Sequence, residues 1–100
     1  MAVLTETQIE DALAKLEKWQ REGNAIVRQY QFKDFPAAIH FVDQVAVAAE
    51  SAWHHPDIDI RWNKVRLLLT THDQGGLTEK DTQLATTFDE MAADLAADER

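Results

Sequence analysis

The chemistry this chain can offer is concentrated in its histidines. Two of the four stand side by side, His54-His55, between Trp53 and Pro56, and a third, His72, comes later. Imidazole, with an unperturbed pKa near 6.5, can accept or donate a proton at neutral pH. Glu50 lies four residues before His54, so the two can meet on one face of a helix. A carboxylate placed there can accept an imidazole N–H and fix the tautomer. His55 precedes Pro56, which pushes it toward extended backbone, so its ring should point elsewhere. The chain has no cysteine, which removes disulfides, thiolate metal sites and a cysteine nucleophile. Ser51 has no oxyanion-hole context. The available chemistry is therefore proton transfer by histidine and not covalent catalysis.

Plainer readings compete with this one. A protonated histidine near a helix C-terminus interacts favourably with the helix dipole, so helix termination alone could account for one of the pair. His72, taken by itself, reads as a polar loop residue. Zinc would need three histidines and a carboxylate to converge, but adjacent side chains diverge and no His-x-x-x-His spacing exists. No metal is expected. His40, among Pro36, Asp43 and Gln44, reads as solvated helix surface. Asp81 is most simply a capping carboxylate. Trp19 and Trp62 could be core. Gly75-Gly76 lacks the lysine of a phosphate loop and reads as a turn requiring positive φ.

The elements that must hold these residues follow from periodicity. Ile9, Leu13 and Leu16 predict a helix from about Thr7 to Lys18, with Thr7 and Glu10 as its capping box. Trp19-Gln20-Arg21, a turn at Gly23-Asn24, and Ile26, Tyr30 and Phe32 predict a short hairpin, with Arg28 interrupting the apolar face. Asp34 is a natural N-cap and Pro36 fits a first helical turn. Phe35, Ala38, Ile39, Val42, Val45, Ala46, Ala49 and Trp53 then form an apolar stripe that ends before His55. Residues 58–71 are strand-like, but the alternation changes phase between Ile58-Ile60-Trp62 and Val65-Leu67-Leu69. Asn63-Lys64 therefore holds either a bulge or the junction of two strands. Thr78 and Asp81 open a last helix whose buried stripe is Leu84, Ala85, Phe88, Met91, Ala92 and Leu95. The predicted fold is α+β, in the order α-β-β-α-β-β-α: a four-stranded antiparallel sheet with helices packed on one face.

The chain as a whole bounds the function. Its 100 residues, 45% apolar, fit one globular domain over residues 1–100. The net charge of −8 repels phosphate backbones, which disfavours nucleic acid as a partner. Asp94, Asp98 and Glu99 read as a solvated helix face and tail. No apolar run is long enough for a membrane span, so the expected location is cytoplasmic.

Glu50, His54-His55-Pro56, Trp62-Asn63-Lys64-Val65, Thr71-His72, Gly76-Leu77-Thr78-Glu79 and Asp81, with Trp19 and Phe32-Lys33-Asp34-Phe35 upstream, resemble the pterin-4a-carbinolamine dehydratase family. The resemblance spans about residues 13 to 95. It implies dehydration of 4a-hydroxytetrahydropterin to quinonoid dihydropterin and water, which recycles the cofactor of aromatic amino-acid hydroxylases. The pterin is then the substrate, and no separate cofactor is needed. The family's three functional histidines map onto His54, His55 and His72. The substrate site implied by the resemblance adds Glu50, Trp53, Trp19, Pro56, Thr70, Thr71, Asp73 and Asp81. Within it, His54 oriented by Glu50 would move a proton at the ring. His72 would be the acid at the 4a-hydroxyl, and His55 would bind substrate or share the base role. Trp53 stands where the family commonly has Asp or Asn, a departure that bears on pterin preference more than on chemistry. The resemblance further implies a homodimer or homotetramer and a functional link to an aromatic amino-acid hydroxylase. The rival class is a non-catalytic dimerisation or regulatory module on the same fold.

Overall fold

The structure, a computed structural model, describes residues 2–98, with side-chain detail through residue 95. The first helix, α1 (Glu6–Lys15), is capped by Thr5, whose hydroxyl accepts from the Gln8 N–H while the Gln8 side chain accepts from the Thr5 N–H. The chain offers two Thr-x-x-Glu/Gln boxes two residues apart, Thr5–Gln8 and Thr7–Glu10. The expected Thr7–Glu10 box is not the one used. The Leu4 N–H is already bonded to the Leu77 carbonyl, which fixes the chain just ahead of Thr5. The helix also stops at Lys15 and not at Lys18, with Leu16 as its C-cap, buried in the core.

Strands β1 (Gln20–Glu22) and β2 (Ala25–Gln31) form the hairpin, turning at Gly23, whose φ of 59° suits glycine. Helix α2 (Phe35–Ala52) starts where Asp34 accepts from the Ala37 N–H at 2.9 Å. The phase change after α2 is the junction of two strands, β3 (Asp57–Arg61) and β4 (Lys64–Leu69), turning at Trp62 and Asn63. Their register sets Ile58 opposite Leu67 and Ile60 opposite Val65, so both apolar parities reach the same face. Asn63 ties this turn to β2, donating to the Phe32 carbonyl at 2.7 Å. A single 3₁₀ turn (His72–Gln74) follows, and α3 (Glu79–Asp98) closes the chain.

The sheet order is β1-β2-β4-β3, every pair antiparallel, in the α-β-β-α-β-β-α order expected. Val65, Leu67 and Leu69 are fully buried beneath the helices, opposite Tyr30, Arg28 and Ile26 of β2. From α3 come Leu84, Ala85, Phe88, Ala92 and Leu95, as predicted, with Met91 partly buried. Helix α2 corrects the expectation. Its buried line is Ala38, Phe41, Val45 and Ala49, while Phe35, Ala46 and Trp53 face outward. This helix is apolar on most of its circumference, so hydrophobicity alone could not choose the face. Of the acidic tail, Asp94 is exposed; Glu99 and the Asp98 side chain lie outside the described residues. No helix among the described residues is long and apolar enough to cross a membrane.

Candidate active site

The C-terminus of α2 builds the histidine site. Trp53 is its C-cap in the left-handed region, φ 52° and ψ 40°, with its N–H bonded back to Ala49 and Glu50 carbonyls. That conformation ends the helix and redirects the chain. His54 leaves the helical face and turns inward; it is 9% exposed. His55 turns outward.

The pairing expected from i, i+4 spacing is therefore replaced. His54 Nε2 lies 2.5 Å from Asp81 Oδ1, at the start of α3. Glu50 meets His55 instead, with Oε1 2.8 Å from Nε2. The correction has one physical cause: helical spacing no longer applies beyond Ala52, because Trp53 in the left-handed conformation breaks the rotation. The two pairs also differ in solvation. His55 and Glu50 are mostly exposed, while Asp81 is completely buried.

A carboxylate taken wholly out of water must be satisfied by donors. Asp81 has three. Oδ2 accepts from the Thr71 hydroxyl at 2.8 Å and from the Thr78 N–H at 2.9 Å, and Oδ1 faces His54. The Thr78 N–H bond is half of the expected capping box. The Thr78 hydroxyl does not complete it, because it meets the Thr71 hydroxyl at 2.9 Å. Sequence reasoning did not place Thr78 in this network. The signal was present: a threonine N-cap whose hydroxyl has a second threonine within reach across a tight loop.

Asp81 thus joins the end of α2 to the loop that carries His72. Thr71 is paired with Gly76 across that loop, and Gly75, with φ 74°, closes the turn. His72 and Asp73 are exposed at its tip. Among the described residues His72 makes no side-chain hydrogen bond. Thr70 donates to the Asn24 carbonyl at 2.6 Å, so its hydroxyl ties β4 to the β1–β2 turn. Pro56 is partly buried behind the pair. Trp53 is 78% exposed beside it. Among the described residues no cluster of three or more His, Asp or Glu side chains is arranged to hold a metal ion.

Trp19 has a different set of partners. It is buried in the core, and its Nε1–H donates to Asp89 Oδ1 at 2.9 Å. The same oxygen accepts from Arg28 at 2.7 Å and from the Tyr30 hydroxyl at 2.5 Å. The Arg28 guanidinium also lies 4.1 Å above the Tyr30 ring. Burial, then the bond to Asp89, pushes the Tyr30 hydroxyl well above the usual phenol range. An arginine on the inward face of β2 was the sequence signal for this cluster, since a charge there needs a carboxylate partner. The cluster borders a cavity of about 620 Å³ between α1, β2 and α3.

The profile of the family described as pterin 4 alpha carbinolamine dehydratase matches residues 2–91. A relative from Chloroflexus aurantiacus, provisionally named a pterin-4-alpha-carbinolamine dehydratase, is 57% identical over 91 residues, 91% of this chain and 98% of the relative. One from Thermomicrobium roseum, under the same provisional name, is 50% identical over 93% of this chain and 100% of its own. A solved structure from Brucella melitensis, described as a transcriptional coactivator/pterin dehydratase, superposes with a TM-score of 0.87 at 38% identity, covering 90% of this chain and 98% of that one. A pterin dehydratase-like protein described as a RuBisCO assembly factor of the alpha-carboxysome is alike in fold, with a TM-score of 0.62 at 21% identity over 74% of this chain and 86% of that one.

Proposed function

The chain belongs to the pterin 4 alpha carbinolamine dehydratase family, and from that premise we propose that it dehydrates a 4a-hydroxytetrahydropterin by histidine acid–base catalysis. The observation that carries the reading is that each of two adjacent histidines has its own carboxylate at Nε2: Asp81 for His54 and Glu50 for His55. A terminus shaped only to end a helix has no need of either pairing.

The reaction breaks the C4a–O bond and removes the proton from N5, giving quinonoid dihydropterin and water. The leaving oxygen needs a proton donor and N5 needs an acceptor. His54, held by Asp81, takes the N5 proton through its other ring nitrogen. His72, exposed on the loop tip, donates to the departing hydroxyl. His55, oriented by Glu50, contacts the ring or shares the base role. Glu50 thus keeps a place in the site but serves His55. Trp53 and Pro56 flank the ring, with Thr70, Thr71 and Asp73 around the loop. Trp19 acts from the core, through the Asp89 cluster. The product feeds the reduction that restores a tetrahydropterin for an aromatic amino-acid hydroxylase.

The proposal extends to a homodimer or homotetramer. β3 is an edge strand; Ile58 and Ile60 on it are 40% and 37% exposed, and Trp62 in the turn after it is 68% exposed. Pairing with a second copy would cover that edge. A second reading, a non-catalytic regulatory module, is favoured by one observation: the Brucella melitensis relative is described as a coactivator as well as a dehydratase. An assay on freshly generated 4a-hydroxytetrahydropterin separates the two. Turnover above the buffer rate supports the enzyme; a rate equal to buffer supports the module.

A further inference from the structure

We infer that Thr78 and Thr71 form a one-way hydrogen-bond relay that fixes Asp81 as an acceptor toward His54, which leaves Nδ1 as the reactive nitrogen of His54 and makes Thr71 a positioning residue. The inference rests on the dehydratase reading for its catalytic consequence, but its proton geometry stands apart from that reading.

The argument is an accounting of hydrogens. A threonine hydroxyl has one proton to give and a carboxylate has none. Thr71 Oγ1 lies 2.8 Å from Asp81 Oδ2 and 2.9 Å from Thr78 Oγ1. If Thr71 gave its proton to Thr78, its lone pairs would face a carboxylate oxygen at 2.8 Å in a site without water access. The arrangement that satisfies every contact has Thr78 O–H donating to Thr71, and Thr71 O–H donating to Asp81. The Thr78 N–H fills a second position on the same oxygen. Oδ2 is thereby occupied, and Oδ1 is left to accept from His54 Nε2–H.

When the His54 ring carries a single proton, that proton is on Nε2, and Nδ1 is a bare lone pair. Among the described residues Nδ1 has no hydrogen-bond partner, and it is not among the side-chain atoms sealed from solvent without one. It is therefore the ring nitrogen left free for a ligand. Thr71, Thr78 and Asp81 are all buried, 6%, 0% and 0% exposed, so water does not compete for these bonds. The same relay runs into the loop that presents His72, one residue beyond Thr71. One buried network thus sets both the tautomer of His54 and the anchor point of the His72 loop.

The test is long-range ¹⁵N–¹H correlation NMR on His54 in the substrate-free protein, with steady-state kinetics of Thr71→Val and Thr71→Ser. The expected wild-type spectrum has His54 protonated at Nε2 with Nδ1 bare. Thr71→Val should lose Nε2 protonation or mix the tautomers, and Thr71→Ser should restore the wild-type pattern. In turnover, Thr71→Val should lower kcat about 10–100-fold, the scale on which removing a group behind a functional imidazole acts. KM should stay within about twofold, since Thr71 is 6% exposed and its hydroxyl is spent on Asp81, and Thr71→Ser should recover most of the rate. A wild-type ring protonated at Nδ1 with bare Nε2 would overturn the relay. So would a Thr71→Val protein with the wild-type tautomer and kcat. If Thr71→Val does not fold, the wild-type tautomer and its retention in Thr71→Ser decide. If the wild-type protein shows no turnover at all, the dehydratase reading fails, and the NMR arm judges the relay alone.

Discussion

Asp81 and His54 meet at 2.5 Å although 27 positions separate them, and the carboxylate is completely buried while the imidazole remains partly accessible. A buried carboxylate with three donors is costly to disturb, so the contact works as a fixed mount for one ring. The exposed Glu50–His55 pair has no such rigidity, because water competes for both partners.

That contrast gives the first prediction. Asp81→Asn should lower kcat by about 10²–10⁴-fold, because the amide can donate to His54 and hold the wrong tautomer. Glu50→Gln should cost less than about tenfold, since exposed pairs contribute only about 0–1 kcal/mol. Steady-state dehydration rates of the two variants, corrected for the buffer reaction, check the ranking.

Trp53 sits at φ 52°, where an L-residue with a bulky side chain is strained. Its indole is mostly exposed, so little packing would be lost on removal. Trp53→Gly should therefore stabilise the fold by about 0.5–1 kcal/mol, the relief of a left-handed residue less the added freedom of the unfolded chain. Urea unfolding should show a higher midpoint with an unchanged slope.

Tyr30 is the chain's one tyrosine, so tyrosinate absorbance reports it alone. Burial first, then the bond to Asp89, raises its folded pKa above the ordinary value near 10. The sign follows: the folded state prefers the protonated phenol, and this contribution is complete below pH 10 and is lost as pH rises beyond it. Tyrosinate should therefore appear only together with unfolding, at a pH above the ordinary value. Ionisation near pH 10 with the fold intact, judged by far-ultraviolet circular dichroism, would contradict this.

The edge of β3 gives a fourth. If a second copy covers Ile58 and Ile60, a charge there should break the pairing. Ile60→Lys should sediment as a monomer at micromolar concentration while wild type sediments as a dimer or tetramer. A wild-type monomer would remove the association from the account.

Much of this architecture was legible in the sequence. The element order, the Asp34 cap, the α3 stripe and the two-parity segment after Pro56 each follow from a local rule that tertiary contacts do not override. The carboxylate partners of the histidine pair were not legible. Glu50 and His54 satisfy helical spacing on paper. Only the left-handed Trp53 sends His54 to Asp81 and returns His55 to Glu50, and a tryptophan gives no sequence signal for that conformation. The buried line of α2 was hidden for another reason: a helix apolar on most sides does not declare which side meets the sheet. The partner of Trp19 was hidden too. The acceptor that holds it in the core, Asp89, sits 70 positions away, beyond the reach of any local pattern.

The central claim is that the loop histidine and the helix-end pair together dehydrate a pterin carbinolamine. The most direct test is kcat for His72→Gln against His40→Gln, each folded, after subtraction of the uncatalysed dehydration in buffer. His40 lies on the exposed side of α2 and serves as the control. The account predicts a loss of about 10²–10⁴-fold for His72→Gln, the worth of a positioned general acid, and no change for His40→Gln. Equal, near-wild-type rates for both variants would contradict it.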